Sequence, residues 1–239
     1  MTLFLPPLAA DDFRFPPVSD ALAHPDGLLA IGGDLSAARL MSAYRSGIFP
    51  WFGEEDPLLW WSPSERAIIR PSDFHVSRSL RKAARKSQVT VTINHAFEAV
   101  IHQCAAIRGP EQTWITDQMR EAYLALHQQH DAHSVEVWQE DQLVGGLYGV
   151  AVGQFFCGES MFSLIDNGSK FALWQFCRHF QAQGGHYIDC QMMTPHLASL
   201  GAKAWPRDEF IHALYAARDT RLKTAYMPHV IADFRERQS

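Results

Sequence analysis

A chain of 239 residues, 47% of them hydrophobic, has ample material for a packed core. That excludes a disordered chain and leaves one large domain, or an ordinary domain with a smaller companion. Its 21 basic and 26 acidic side chains give a formal charge of −5, which excludes a uniformly basic nucleic-acid binder but not a local basic patch.

The cysteines Cys104, Cys157, Cys177 and Cys190 lie far apart in apolar segments, a pattern of reduced, buried thiols and not of a zinc knuckle or redox pair. Met1-Thr2-Leu3-Phe4-Leu5-Pro6-Pro7 has no basic leader and is broken by proline. No apolar run reaches the roughly 20 residues of a membrane span. A cytoplasmic protein is expected.

Residues 1–35 are punctuated by proline and glycine, as in His24-Pro25-Asp26-Gly27 and Ile31-Gly32-Gly33-Asp34, and read as ordered loop. Ser36 caps a helix that carries Leu40, Met41 and Tyr44 on one face and ends at Gly47. Trp51, Trp60 and Trp61 follow, able to stack on a nucleobase or to fill a small core.

From Arg66 to Lys86 the chain turns cationic, with Arg66, Arg70, Arg78, Arg81, Lys82, Arg85 and Lys86 against Asp73 alone. If Ser77 caps a helix, positions 78, 81, 82, 85 and 86 share one face, which is either a phosphate track or a solvated helix surface. A strand over 89–93 leads to Asn94 as the cap of a helix with Phe97, Val100, Ile101 and Cys104 inward. Thr116 caps another, with Met119, Tyr123, Leu124 and Leu126 as its apolar residues.

The second half alternates. Residues 134–138, 142–152 and 154–162 read as an antiparallel meander, and an amphipathic helix over 169–183 carries Leu173, Phe176, Cys177 and Phe180. Tyr187 and Ile188 then begin a strand in which Asp189 and Gln191 share a face. Strands, helix, strand is the order of the acetyltransferase-like (GNAT-like) fold, whose last parallel pair splays and admits substrate.

No Walker sequence or G-x-G-x-x-G is present, and Ser163-Leu164-Ile165-Asp166-Asn167-Gly168-Ser169 lacks the glycine turn that holds coenzyme A pyrophosphate. Gly158-Glu159-Ser160 is not a nucleophile elbow. His127, His130 and His133 read as surface histidines, because no carboxylate or cysteine cluster completes a metal site. Glu159 falls between Cys157 and Met161 on an apolar strand face, so it forms a structural ion pair with an arginine or recognises a cation or amine, with Asp189 as a second carboxylate.

The ordered motifs Gly47-Ile48-Phe49-Pro50-Trp51-Phe52, Trp60-Trp61-Ser62-Pro63, Thr113-Trp114-Ile115-Thr116, His133-Ser134-Val135-Glu136-Val137-Trp138, Phe156-Cys157-Gly158-Glu159-Ser160-Met161-Phe162 and Ile188-Asp189-Cys190-Gln191 are followed by His196 and Ser199-Leu200-Gly201-Ala202. Together, from about Phe15 to Leu214, they resemble the leucyl/phenylalanyl-tRNA–protein transferase family.

The resemblance implies an α+β architecture: a small N-terminal α/β domain, residues 1–64, packed on a GNAT-like domain, residues 65–239. It implies a bacterial cytoplasmic enzyme that moves leucine or phenylalanine from charged tRNA to proteins beginning with arginine or lysine, marking them for degradation; a monomer is expected. Methionyl-tRNA stays open as a further donor. Aminolysis of an ester is downhill, so neither metal nor cofactor is expected.

By the same resemblance Asp189 and Gln191 stand at the reacting centre, Asp189 holding the Gln191 amide N–H while its carbonyl oxygen accepts from the attacking amine. Glu159 orients the acceptor's cationic N-terminus. Leu147, Phe156, Leu173, Phe176 and Phe180 are the donor-pocket candidates, Trp51 and Trp114 flank the terminal adenosine, and Arg78, Arg81, Lys82 and Arg85 meet tRNA phosphates. The competing readings are an acetyl-CoA-dependent N-acyltransferase and a non-catalytic tRNA-binding module.

Overall fold

The computed structural model describes residues 5–9, 11–109, 113–222 and 224–235. Two sheets organise them. The N-terminal elements are β1 (Pro7–Leu8), β2 (Leu28–Gly32), α1 (Ala37–Arg45), β3 (Phe49–Pro50) and β4 (Leu59–Trp61), whose strands pair in the order β1-β2-β4-β3. Apolar Leu28 to Ile31, expected within loop, is thus a strand, because β4 pairs along it. Ser36 caps α1 by accepting from the Arg39 N–H, and Gly47 leaves the helix at φ +76°, a conformation cheap only for glycine.

Next come β5 (Glu65–Ile69), α2 (Arg78–Lys86), β6 (Val89–Ile93), α3 (Phe97–Ala106), α4 (Asp117–Gln128), β7 (Ala132–Gln139), β8 (Gln142–Val152) and β9 (Phe155–Ser163). The chain continues through α5 (Gly168–Ala182), β10 (Tyr187–Asp189), α6 (Pro195–Ser199), β11 (Lys203–Pro206), α7 (Arg207–Ala217) and β12 (His229–Asp233). Its strands form one sheet in the order β11-β5-β10-β9-β8-β7-β6-β12. Within it β9 and β10 run parallel and every other pairing is antiparallel.

Side-chain alternation feeds two cores. Tyr148, Val150, Phe155 and Cys157 join α1, α3, α4, α7 and the N-terminal sheet on one face. Leu147, Phe156 and Ile188 join α2 and α5 on the other. No helix among the described residues is long and apolar enough to cross a membrane.

Ser77 and Thr116 cap α2 and α4 as their spacing predicts, but Asn94 does not cap α3. It sits at φ +54°, and its amide instead bonds His133 Nδ1, the Tyr226 carbonyl and the Ser134 N–H. The first turn of α3 is served by Glu136, which accepts from the Ala96 N–H at 3.3 Å. His133 is not a surface histidine either. Its ring stacks on Tyr226 with centroids 3.9 Å apart, and burial holds its pKa down at about 3.

Candidate active site

The site forms where the parallel pair separates. β10 pairs with β9 only through Tyr187↔Phe155, Ile188↔Phe156 and Asp189↔Cys157, while β9 runs on to Ser163. Beyond Cys157 the two strands part, and a cavity of about 1150 Å³ fills the opening. That exceeds the roughly 300–1,000 Å³ of an ordinary small-molecule site, so it has room for two reactants. Leu147, Phe156 and Leu173 line it from one core, and Trp61 and Trp114 line it while packing on the other. The cavity therefore passes through the sheet at the gap.

A β-bulge aims Glu159. Tyr148 pairs with Ser160 and Gly149 with Gly158, which leaves Glu159 as the extra residue. The bulge also reverses the phase of the alternation, so Cys157 joins one core and Met161 the other. Cys157 and Met161 do not share a face with Glu159 between them, as unbroken alternation predicts. Glu159 instead sits on the Tyr123 side of the sheet, where the Tyr123 hydroxyl donates to its Oε2 at 2.9 Å and Tyr44 hydrogen-bonds Tyr123 in turn. Burial pushes the Glu159 pKa up to about 7, against the hydrogen bonds of Tyr44 and Tyr123, which favour the charged form.

Asp189 is fully buried against Arg66, whose Nε donates to Oδ1 at 3.2 Å and whose Nη2 forms an ion pair with Oδ2. Arg66 also donates to the Gly47 carbonyl at 2.6 Å and lies over the rings of Phe49 and Phe210. It therefore leaves the cationic run in which its sequence position puts it and ties the N-terminal segment to the site. Arg78, Arg81, Lys82, Arg85 and Lys86 remain exposed on α2, with Leu80 and Ala84 turned inward.

Gln191 does not continue the strand. β10 ends at Asp189, and Gln191 takes φ +62°, a conformation uncommon outside glycine. Its backbone N–H donates to Asp189 Oδ1 at 2.9 Å and its carbonyl accepts from the Ala67 N–H at 3.0 Å. Asp189 thus holds the Gln191 backbone and not its side-chain amide. The side-chain Nε2 crosses the gap and donates to Glu159 Oε1 at 2.8 Å. Each Glu159 oxygen thus already accepts one hydrogen bond from within the protein.

Of the expected donor-pocket residues, Leu147, Phe156 and Leu173 line the cavity. Phe176 and Phe180 lie behind its wall, with ring centroids 4.5 and 6.4 Å from that of Phe156. Trp51 and Trp114 both line the cavity. Trp51 is 42% exposed and meets Trp61 edge-on at 5.7 Å, whereas Trp60 is buried with its Nε1 on the Gly32 carbonyl, so of the three tryptophans of that segment it is the core one.

Sequence reasoning missed Arg66 as the partner of Asp189 and both tyrosines as partners of Glu159. For the tyrosines a signal existed: each places a phenol in an apolar helix stripe, and buried phenols require partners.

An amide fixed by a carboxylate between an apolar pocket and an aromatic wall is an arrangement that fits acyl transfer. The family described as leucyl/phenylalanyl-tRNA protein transferase matches residues 68–215, and its N-terminal domain matches residues 33–64. The chain belongs to that family, and it is an aminoacyltransferase.

A leucyl/phenylalanyl-tRNA–protein transferase of Photobacterium profundum is 53% identical over 232 residues, covering 97% of this chain and 98% of its own. One from Vibrio cholerae is 53% identical over 222 residues, covering 93% and 91%. One from Vibrio vulnificus is 51% identical, covering 93% and 94%. Among solved structures, a conserved protein of unknown function from Bacteroides thetaiotaomicron overlays 56% of this chain and 53% of its own with TM-score 0.44 and 13% identity, a likeness too distant to carry an argument.

Proposed function

We propose that the enzyme transfers leucine or phenylalanine, with methionine as a further donor, from charged tRNA to proteins whose first residue is arginine or lysine, and that it works in the cytoplasm as a monomer within N-degron degradation. The observation that carries the reading is the contact between Gln191 and Glu159 across the gap. An ionised carboxylate only accepts, so Glu159 selects the amide orientation that turns Nε2 toward it and leaves Oε1 as the free end. That oxygen accepts a hydrogen bond from the attacking α-amine and points its lone pair at the ester carbon. A free α-amine has a pKa of roughly 7.7–8.0, so part of it is already neutral at cellular pH and orientation outweighs proton abstraction.

Asp189 acts one step back. Its carboxylate holds the Gln191 backbone turn, and Arg66 holds Asp189. The donor side chain enters between Leu147, Phe156 and Leu173, with Phe176 and Phe180 backing the wall, and its adenosine lies by Trp51 and Trp114. Arg78, Arg81, Lys82 and Arg85 track the tRNA phosphates by charge and shape.

We further assign residues 1–64 to the small domain and 65–239 to a GNAT-like domain. The division is supported by β5, which starts at Glu65 and pairs only within the larger sheet. The GNAT-like plan is supported by the β7-β8-β9 meander, the α5 crossover and the partial parallel pairing of β10 with β9.

Transfer of phenylalanine from its tRNA to an arginine-initiated peptide tests the reading. Gln191→Ala lowers kcat by about two orders of magnitude, the scale of lost positioning. Wild-type turnover in that variant overturns the role given to Gln191.

A further inference from the structure

A second cleft, of about 290 Å³, lies away from the active site between α2 and α5. Val76, Ala84, Trp174 and Phe234 line it together with Arg81, Arg85 and Arg178. Its floor is apolar: Ala84 and Phe234 are buried, and the Trp174 and Phe234 rings lie 6.2 Å apart at 39°. Its rim is cationic. Arg81, Arg85 and Arg178 are exposed, and none has an ion-pair partner among the described residues. Neither α2 nor α5 contains an acidic residue. Among the described residues, Asp73 and Asp233, close in sequence to the lining residues Val76 and Phe234, pair with Lys203 and Arg235.

Two details make this more than a charged surface. Arg178 is held from below, its Nη1 donating to Oε1 of the buried Gln175 at 3.2 Å, so its guanidinium has a set direction. The cleft also shares a helix with the active-site cavity. Ser169 and Leu173 of α5 line the cavity, while Trp174 and Arg178 of the same helix line the cleft. At a rise of about 1.5 Å per residue, Leu173 and Arg178 are roughly 7.5 Å apart along the axis.

Arginines around a half-buried indole match a ligand with a phosphate and a flat π-face. The volume admits one base and no duplex, whose bases are stacked and paired. We propose that this cleft receives a single unpaired nucleotide of the donor tRNA, its base on Trp174 and its phosphate against Arg178, with Arg81 and Arg85 holding the neighbouring phosphates. Base–aromatic stacking tolerates any base, so the contact adds affinity without restricting which tRNA is bound. The proposal rests on the reading of α2 as the tRNA-binding face and extends that face onto α5.

Binding of phenylalanyl-tRNA measured across a salt series separates the two. Trp174→Leu weakens binding about tenfold, within the range for one lost stacked base, at unchanged salt slope, and Trp174→Phe restores most of it. Arg178→Ala flattens the slope by about one, the value of one phosphate contact, and Arg178→Lys restores it. Melting temperatures of the four variants establish that they are folded.

Wild-type affinity and slope in Trp174→Leu and Arg178→Ala, while Arg78→Ala weakens binding, overturn the cleft and leave α2 as the tRNA face. Wild-type behaviour in Arg78→Ala as well overturns both. Loss in Trp174→Leu that Trp174→Phe does not recover assigns Trp174 to packing on Phe234 and overturns the stacking.

Discussion

Glu159 and Gln191 meet at 2.8 Å between two parallel strands that have stopped pairing. Each reaches that point by a local irregularity: Glu159 is the extra residue of a bulge, and Gln191 holds a left-handed backbone against Asp189. The contact ties the two lips of the cavity together and turns the amide nitrogen of Gln191 toward Glu159.

Glu159 makes transfer depend on pH. Burial brings its pKa to about 7. Above that value the carboxylate accepts from Gln191 Nε2. Below it the carboxyl carries a proton that it can donate to Gln191 Oε1, which turns the amide around and withdraws the acceptor. Transfer therefore rises with pH through about 7, and deprotonation of the acceptor amine at roughly 7.7–8.0 adds a second rise. Glu159→Gln keeps only the upper inflection. A lower inflection that survives in this variant belongs to another group.

Folding couples to the same proton in the opposite sense. The folded pKa of Glu159 lies above its ordinary 4.5, so the stability it contributes is fully present below about pH 4.5, shrinks as pH rises and is gone above about 7. Across that window the wild type loses on the order of 3 kcal/mol relative to Glu159→Gln. Urea denaturation of both proteins at pH 5 and pH 8 measures the difference, and parallel curves refute it.

Asp189→Asn strands the guanidinium of Arg66, which is 2% exposed. Removing one partner of a buried pair costs about 3–5 kcal/mol, so the variant unfolds at markedly lower urea. The double replacement Arg66→Met with Asp189→Leu recovers much of the stability, because apolar side chains need no counter-charge. It does not recover transfer, because the Gln191 N–H has lost its acceptor. Full activity in the stable double variant would show that Asp189 is structural only.

The wall of the proposed donor pocket distinguishes lining from backing. Leu173→Phe fills part of the cavity and shifts preference toward leucine over phenylalanine by about tenfold, the scale of a one- or two-carbon clash. Phe176→Leu, behind Phe156, leaves the ratio near that of the wild type. Competition between the two charged tRNAs reads both outcomes.

On α2, Arg78→Glu with Lys82→Glu weakens binding of charged tRNA and lowers its salt slope by at least about 0.7–0.9 per lost phosphate contact. Unchanged affinity and slope in that pair remove α2 from the interface.

The helix caps at Ser36, Ser77 and Thr116, the meander and the cationic face of α2 were legible in the sequence because they depend on neighbours a few positions away. The ordered motifs likewise carried the family. The site's wiring was not legible. Arg66 and Asp189 are separated by 123 positions, and nothing in the run from Arg66 to Lys86 marks one arginine as buried while the α2 residues face water.

Asn94 was lost as a cap because a buried histidine and two backbone groups competed for its amide. Period-two reasoning put Asp189 and Gln191 on one strand face and Glu159 between Cys157 and Met161. The tertiary structure ended one strand at Asp189 and bulged the other at Glu159. Alternation records which face a regular strand buries. Where the strand stops being regular is decided by what packs against it, here Arg66, Tyr123 and the parting of β9 from β10, and those irregular points bring Glu159 and Gln191 into contact.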